Sequence, residues 1–133
     1  MNRIDFELSN QIYHSSNQLI ADINNGMKQA LRTNPPKYYS GYDPLGVALL
    51  TEAHWEIECR FDALQKTNNY MFTSNHTGTS LLFNKNLAYV LGIIPTLAYN
   101  PKPIEKSFLL DDSIDLSRNY LTALWIYTAE QNV

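Results

Sequence analysis

Residues 3–9, RIDFELS, alternate in polarity: Ile4, Phe6 and Leu8 fall on one side, and Arg3, Asp5, Glu7 and Ser9 on the other. A period of two is that of a half-buried strand. The period then changes. Leu19, Ile20, Ile23, Met27, Ala30 and Leu31 recur at helical spacing and make one apolar stripe, so an amphipathic helix is expected. Ser15 with Gln18 three positions later forms a capping box at its start. Asn34-Pro35-Pro36 stops it near Arg32, since proline lacks the N–H and restricts the residue before it. Gly26 lies inside this helix, where glycine costs about 1 kcal/mol relative to alanine.

Residues 34–46, rich in Pro, Tyr and Gly, read as a loop. A strand-like run begins at GVALL. The clearest strand follows in AHWEIECRFD, where Trp55, Ile57, Cys59 and Phe61 alternate with His54, Glu56, Glu58, Arg60 and Asp62. Lys66-Thr67-Asn68-Asn69 reads as a turn. Residues 70–74 and 79–83 are expected to be short strands paired as a hairpin through the loop Asn75-His76-Thr77-Gly78. In LFNKNLAYVLGI, a strand ending at Phe83 gives way to a short helix capped by Asn84. Leu87, Ala88 and Leu91 should face the core, and Gly92 should close the helix in the left-handed conformation. Residues 94–107, with Pro95, Pro101 and Pro103, read as an irregular crossing loop, and 108–110 as a short strand. Asp111, Asp112 and Asp115 suggest a turn. The apolar run 120–128, YLTALWIYT, is expected to be a final strand buried on both faces.

Strands thus dominate without a βαβ rhythm. The fold class expected is mainly β (α+β), an antiparallel β-sandwich of jelly-roll type with one inserted amphipathic helix. At 133 residues the chain suits a single domain, 1–133. With 44% hydrophobic and only 17% charged residues it is a folded chain whose polarity comes from Asn, Ser, Thr and Tyr. The net charge of −3 and the lack of a Lys/Arg cluster denser than Lys28 and Arg32 argue against nucleic acid as the main partner. No apolar run approaches the roughly 18 residues of a membrane span, and the N-terminus has no signal-peptide core. A soluble intracellular product, with no membrane partner, is the expectation. The single cysteine, Cys59, excludes an intrachain disulfide.

Candidate chemistry is sparse. Glu52, His54, Glu56 and Glu58 would share one face of a strand, which suits either a metal or acid–base cluster or an ordinary solvated face. Cys59 lies on the apolar side and reads as a small hydrophobe more readily than as a nucleophile partnered by His14, His54 or His76. The three aspartates near 111–115 lack the glycine and terminal glutamate of a calcium loop. Asn75-His76-Thr77 matches a glycosylation sequon. No phosphate-binding, nucleotide-binding or nucleophile-elbow motif occurs. No enzyme, cofactor or metal is therefore expected. Tyr38, Tyr39 and Tyr42 crowd one segment beside Pro35 and Pro36. Their rings suit either an interaction surface, the glycan or peptide site of a small β-sandwich binding module, or a cover for the sheet ends.

Three segments in order resemble a known family. IDFELSNQIYHSSNQLIADIN matches a strand, a Y-x-S and an L-I-x-x-I-N helix. SLLFNKNLAYVLGI matches L-x-F-x-x-x-L-A-x-x-L-G. DLSRNYLTALWIYTAEQNV resembles the closing strand, in which D-L is followed by L-x-x-Y, with seven residues here between Leu116 and Leu124. The chain is similar in these to the C-terminal half of the minor capsid (penton-like) proteins of Polinton/Maverick elements and adintoviruses. Family members carry an upstream β-rich half and read L-G-F where this chain has Leu91-Gly92-Ile93. The resemblance implies a fragment or shortened form of a longer capsid-type protein. It further implies a jelly-roll structural protein of the virion, made in the host cytoplasm or nucleus, that self-associates, as a pentamer at fivefold vertices, and contacts other capsid proteins. It implies no catalytic residues.

Overall fold

The computed structural model describes residues 2–8, 12–40, 51–61, 69–93, 102–104, 107–110, 114–118 and 123–129. Nine strands and two α-helices lie among them, in the order β1 (Asn2–Glu7), α1 (Ser16–Thr33), β2 (Tyr38–Ser40), β3 (Thr51–Ala53), β4 (Ile57–Phe61), β5 (Tyr70–Ser74), β6 (Thr79–Phe83), α2 (Lys85–Leu91), β7 (Lys102–Ile104), β8 (Ser107–Leu109) and β9 (Ala123–Thr128). The fold mixes α and β, with antiparallel strands in two main sheets. The first has the order β1-β9-β6-β7 and the second β4-β5-β8; β2 and β3 form a separate ladder.

The expected alternation of β1 holds: Ile4 is buried while Arg3 and Asp5 are exposed. Ile4 pairs with Ile126, which pairs with Leu81, so one inward row crosses three strands. Phe6, Leu124 and Phe83 make the next row. The inner faces of the two sheets meet where Phe83 of β6 packs on Phe72 of β5, with ring centroids 5.5 Å apart and both residues buried.

Helix α1 closes one side of this core. It packs on both β1 and β4, the edge strands of the two sheets. Leu19, Ile20, Ile23, Met27 and Leu31 are buried along its apolar stripe. Ser15 Oγ accepts the Gln18 N–H at 3.2 Å, and Gln18 Oε1 accepts the His14 N–H at 3.0 Å. The reciprocal cap is present, reaching one residue further back than the usual box. Gly26 has a tertiary reason: a Cβ there would lie 2.6 Å from the Phe6 ring. The lost helix propensity makes room for an aromatic side chain of β1.

Asn24 protects the edge of β4. Its amide donates to the Cys59 carbonyl at 2.8 Å and its Oδ1 accepts the Cys59 N–H at 2.7 Å. One side chain thus takes the place of a neighbouring strand, which an open sheet edge otherwise invites.

Helix α2 matches its sequence reading closely. Asn84 Oδ1 accepts the Leu87 N–H at 2.8 Å. Gly92 has φ 74°, its N–H reaches Tyr89 O, and Ile93 N–H reaches Ala88 O at 2.8 Å. This is a Schellman closure, with buried Ile93 packing back under it.

Several expectations are corrected. β5 and β6 are not hairpin partners. β5 pairs with β4 and β8, while β6 pairs with β9 and β7, so residues 75–78 carry the chain from one sheet to the other. Residues 34–46 are not wholly loop, since 38–40 form β2 against β3. Lys102–Ile104 is a strand, because its backbone completes the free edge of β6. Trp55 precedes its strand, and Phe61 is exposed rather than inward. β9 is buried on one face: Leu124, Ile126 and Thr128 are buried, and Trp125 and Tyr127 are half-buried. The expected GVALL strand lies outside the described residues, as do most of the 66–69 turn and Asp111 and Asp112. Among the described residues no helix is long and apolar enough to cross a membrane.

Candidate functional site

Two surfaces and one partly buried knot hold the residues of interest. The knot lies where the chain crosses from β5 to β6. Asn75 fastens the crossing: its backbone N–H donates to Glu56 O, and its Oδ1 accepts the Glu56 N–H at 2.9 Å. Its amide donates to His54 O at 2.7 Å and to the Tyr38 hydroxyl at 2.8 Å. Both amide hydrogens are engaged, so a glycan on this sequon nitrogen would displace at least one of those bonds.

Trp55 is buried and donates its indole N–H to Thr79 Oγ1 at 2.7 Å. The Tyr38 ring meets Trp55 edge-on at 5.2 Å, and the His76 ring lies 4.1 Å from Trp55 and 4.8 Å from Tyr38. His76 Nδ1 accepts the Gly78 N–H at 2.9 Å, which places the proton of the neutral ring on Nε2. Burial lowers the His76 pKa below its ordinary value. Burial and the bond to Nδ1 both favour the neutral ring.

The first surface is a groove of about 940 Å³ between α1 and the start of β4. Lys28 and Arg32 rise on the helix side, and His54, Glu56 and Glu58 on the strand side, over Leu31, Pro36, Trp55 and Ile57. Among the described residues no ion pair joins Lys28 or Arg32 to His54, Glu56 or Glu58 across this groove.

The second surface is the outer face of the first sheet. Trp125 and Tyr127 of β9 stand beside Leu82 and Ser80 of β6. All four are half-buried. The Arg3 guanidinium sits 5.5 Å from the Trp125 ring centroid and donates to Asp5 at 2.8 Å. That face carries two half-buried aromatic side chains with Arg3 beside one of them.

Of the three tyrosines singled out in the sequence, Tyr38 is buried, its ring closed against Trp55 and His76. Tyr39 pairs with Glu52 in the β2–β3 ladder. Tyr42 lies outside the described residues. His54, Glu56 and Glu58 line the groove, but no group of three His, Cys, Asp or Glu among the described residues converges as a metal site would. Cys59 is buried, and burial, with a smaller contribution from the Glu58 charge, pushes its thiol up to about 12. A thiol so protonated is not a nucleophile at neutral pH. Asp115 accepts the Ser117 N–H and hydroxyl at 3.0 and 2.6 Å and starts a 3-10 turn over Leu116–Arg118.

The roles of Asn24, Asn75 and His76 were not readable from the sequence. Their partners are distant in the chain: 35 residues separate Asn24 from Cys59, and 37 separate Asn75 from Tyr38. The unbroken apolar run of β9 hides which of its faces is covered, so the outward position of Trp125 and Tyr127 has no sign in the sequence. No family model, curated protein or solved structure matches the chain.

Proposed function

We propose that the chain is a structural capsid component of the minor, penton-like kind, built on a jelly roll, which acts by assembling with copies of itself and with other capsid proteins in the virion. The observation that carries this reading is the nesting of the strand pairs. A jelly roll is one long antiparallel hairpin wrapped so that successive pairs fall alternately in two facing sheets. Here β1 pairs with β9 in the first sheet, β5 with β8 in the second, and β6 with β7 in the first again. Each pair lies inside the previous one in sequence. The connection at the centre of the nest starts with α2. Helix α1 and the β2–β3 ladder enter between the outermost strand and the next, as an insertion, and β4 widens the second sheet.

Jelly rolls serve in capsids, lectins and cupins, so topology narrows the function without choosing among them. The resemblance of the α1, α2 and β9 segments to penton-like proteins favours the capsid. The outer face of β9 and β6 supplies a surface of the right character, since Trp, Tyr and Arg are enriched at protein interfaces. Head-to-tail contacts between such faces close into rings when the rotation allows, and five copies would make the vertex unit.

Sedimentation velocity and mass photometry of the protein as encoded test the reading, alone and with its co-encoded capsid proteins. Rings or larger assemblies are expected, and Trp125→Glu should abolish them while the monomer keeps its fold. A strict monomer at high concentration that binds no capsid protein would overturn the proposal.

A further inference from the structure

The ladder parity along β4 turns the main chain of Ile57, a residue whose surface is 7% exposed, away from β5. Glu56 exchanges hydrogen bonds with Asn75, and Cys59 turns its N–H and C=O away from β5 toward Asn24. In an antiparallel pair alternate residues bond to the neighbour. Glu58 and Arg60 therefore face β5, while Ile57, like Cys59, points its N–H and C=O to the outer edge. At Cys59 that edge is closed by Asn24. At Ile57 it opens into the groove, which runs along residues 54–58. Five extended residues span roughly 17 Å.

From this we infer that the groove accepts a short extended peptide segment of a partner protein, added beside β4 and hydrogen-bonded to Ile57. The Asn24 clamp sets where the added strand stops. Trp55, Leu31 and Pro36 give an apolar floor for one inward side chain. The unbridged charges choose the flanks: an acidic residue meets Lys28 and Arg32, and a basic residue meets Glu56 and Glu58. Strand addition draws affinity from main-chain bonds and selectivity from such side-chain pockets. This inference does not depend on the capsid reading, because it follows from the edge of β4 alone.

The probe is a panel of fluorescein-labelled six-residue peptides of alternating Val and Thr, carrying one Asp and one Lys at opposite ends, titrated into the whole chain. Peptides with both charges should bind saturably. Lys28→Glu with Arg32→Glu should weaken binding at least tenfold without moving the melting temperature, since both side chains are exposed. On binding, the Ile57 amide should gain protection from hydrogen exchange, whereas the Glu58 amide, already in the ladder, should not change. Three results would overturn the proposal: no saturable binding at millimolar peptide, binding indifferent to the charge reversals, or an Ile57 amide already protected in the free protein. The last would mean that the chain itself fills the edge.

Discussion

Two corners of this molecule turn the chain at the ends of strands, and they are built on opposite principles. At 84–93 the two caps are local, and one distant bond adds to them, from the Asp115 N–H to Val90 O at 2.8 Å. Asn84 caps α2 three residues away, and Gly92 closes it by bonds to the turn just before. At 75–79 the corner is held from afar. Asn75 ties to His54, Glu56 and Tyr38; Thr79 holds the Trp55 indole; Gly78 O accepts the Ala129 N–H at 2.7 Å. A corner of the first kind can form before the rest of the fold. One of the second kind needs both sheets in place, and in return it locks them together.

The largest effect should come from emptying the long-range corner. Trp55→Ala removes a buried indole with its bond to Thr79 and is expected to cost about 4 kcal/mol in urea unfolding. Asn75→Ala leaves three groups from two distant segments without their partner and should cost about 2 to 3 kcal/mol. In the local corner, Gly92→Val forces a β-branched residue into φ 74° and should cost about 2 kcal/mol. Asn84→Ala removes one cap and should cost about 1 kcal/mol.

Double-mutant cycles sharpen the contrast. Asn75→Ala with Tyr38→Phe should be non-additive by about 1 kcal/mol, whereas Asn84→Ala with Gly92→Ala should add to within about 0.5 kcal/mol. Additivity in both corners would erase the distinction.

The smallest effect is a pH dependence confined to the long-range corner. His76 has a folded pKa below its ordinary 6.5, so the unfolded chain binds more protons in that window. Its contribution to stability is present above pH 6.5 and is lost as the pH falls below it. The urea midpoint of the parent should therefore drop more than that of His76→Gln between pH 7.5 and 5. Equal drops would show that the ring does not sense the knot.

The same division sets what could be read in advance. Strand β1, the stripe and cap of α1, and the whole of α2 with its glycine were legible, because each depends on residues within one or two turns of one another. The apolar side of 55–61 was legible as far as Cys59. The β5–β6 pairing was misread because a four-residue Asn-Gly-containing loop between two strands has a hairpin's local signature. The long-range ladders of β5 with β4 and β8 and of β6 with β9 and β7 send the two strands to different sheets. The bonds from Asn75 to 54–56 and from Gly78 to Ala129 hold the crossing. β7 was missed because three residues with a central proline carry no periodic signal. Its strand character comes from the edge of β6 that it completes.

The sequence by itself determined the helices, their ends and the alternating faces of the outer strands, since capping and periodicity are short-range and each residue carries its own propensity. It also determined that Cys59 would point inward. The tertiary structure alone decided which strands are neighbours, and hence the nested order β1-β9-β6-β7 on which the functional reading rests. It alone gave Gly26 its purpose under Phe6, made Asn24 a substitute for a missing strand and made Asn75 the tie at the crossing from β5 to β6. It also closed Tyr38 into the knot. The reason is physical: a side-chain amide satisfies any backbone within about 3 Å, and nothing in its local sequence says which one that will be.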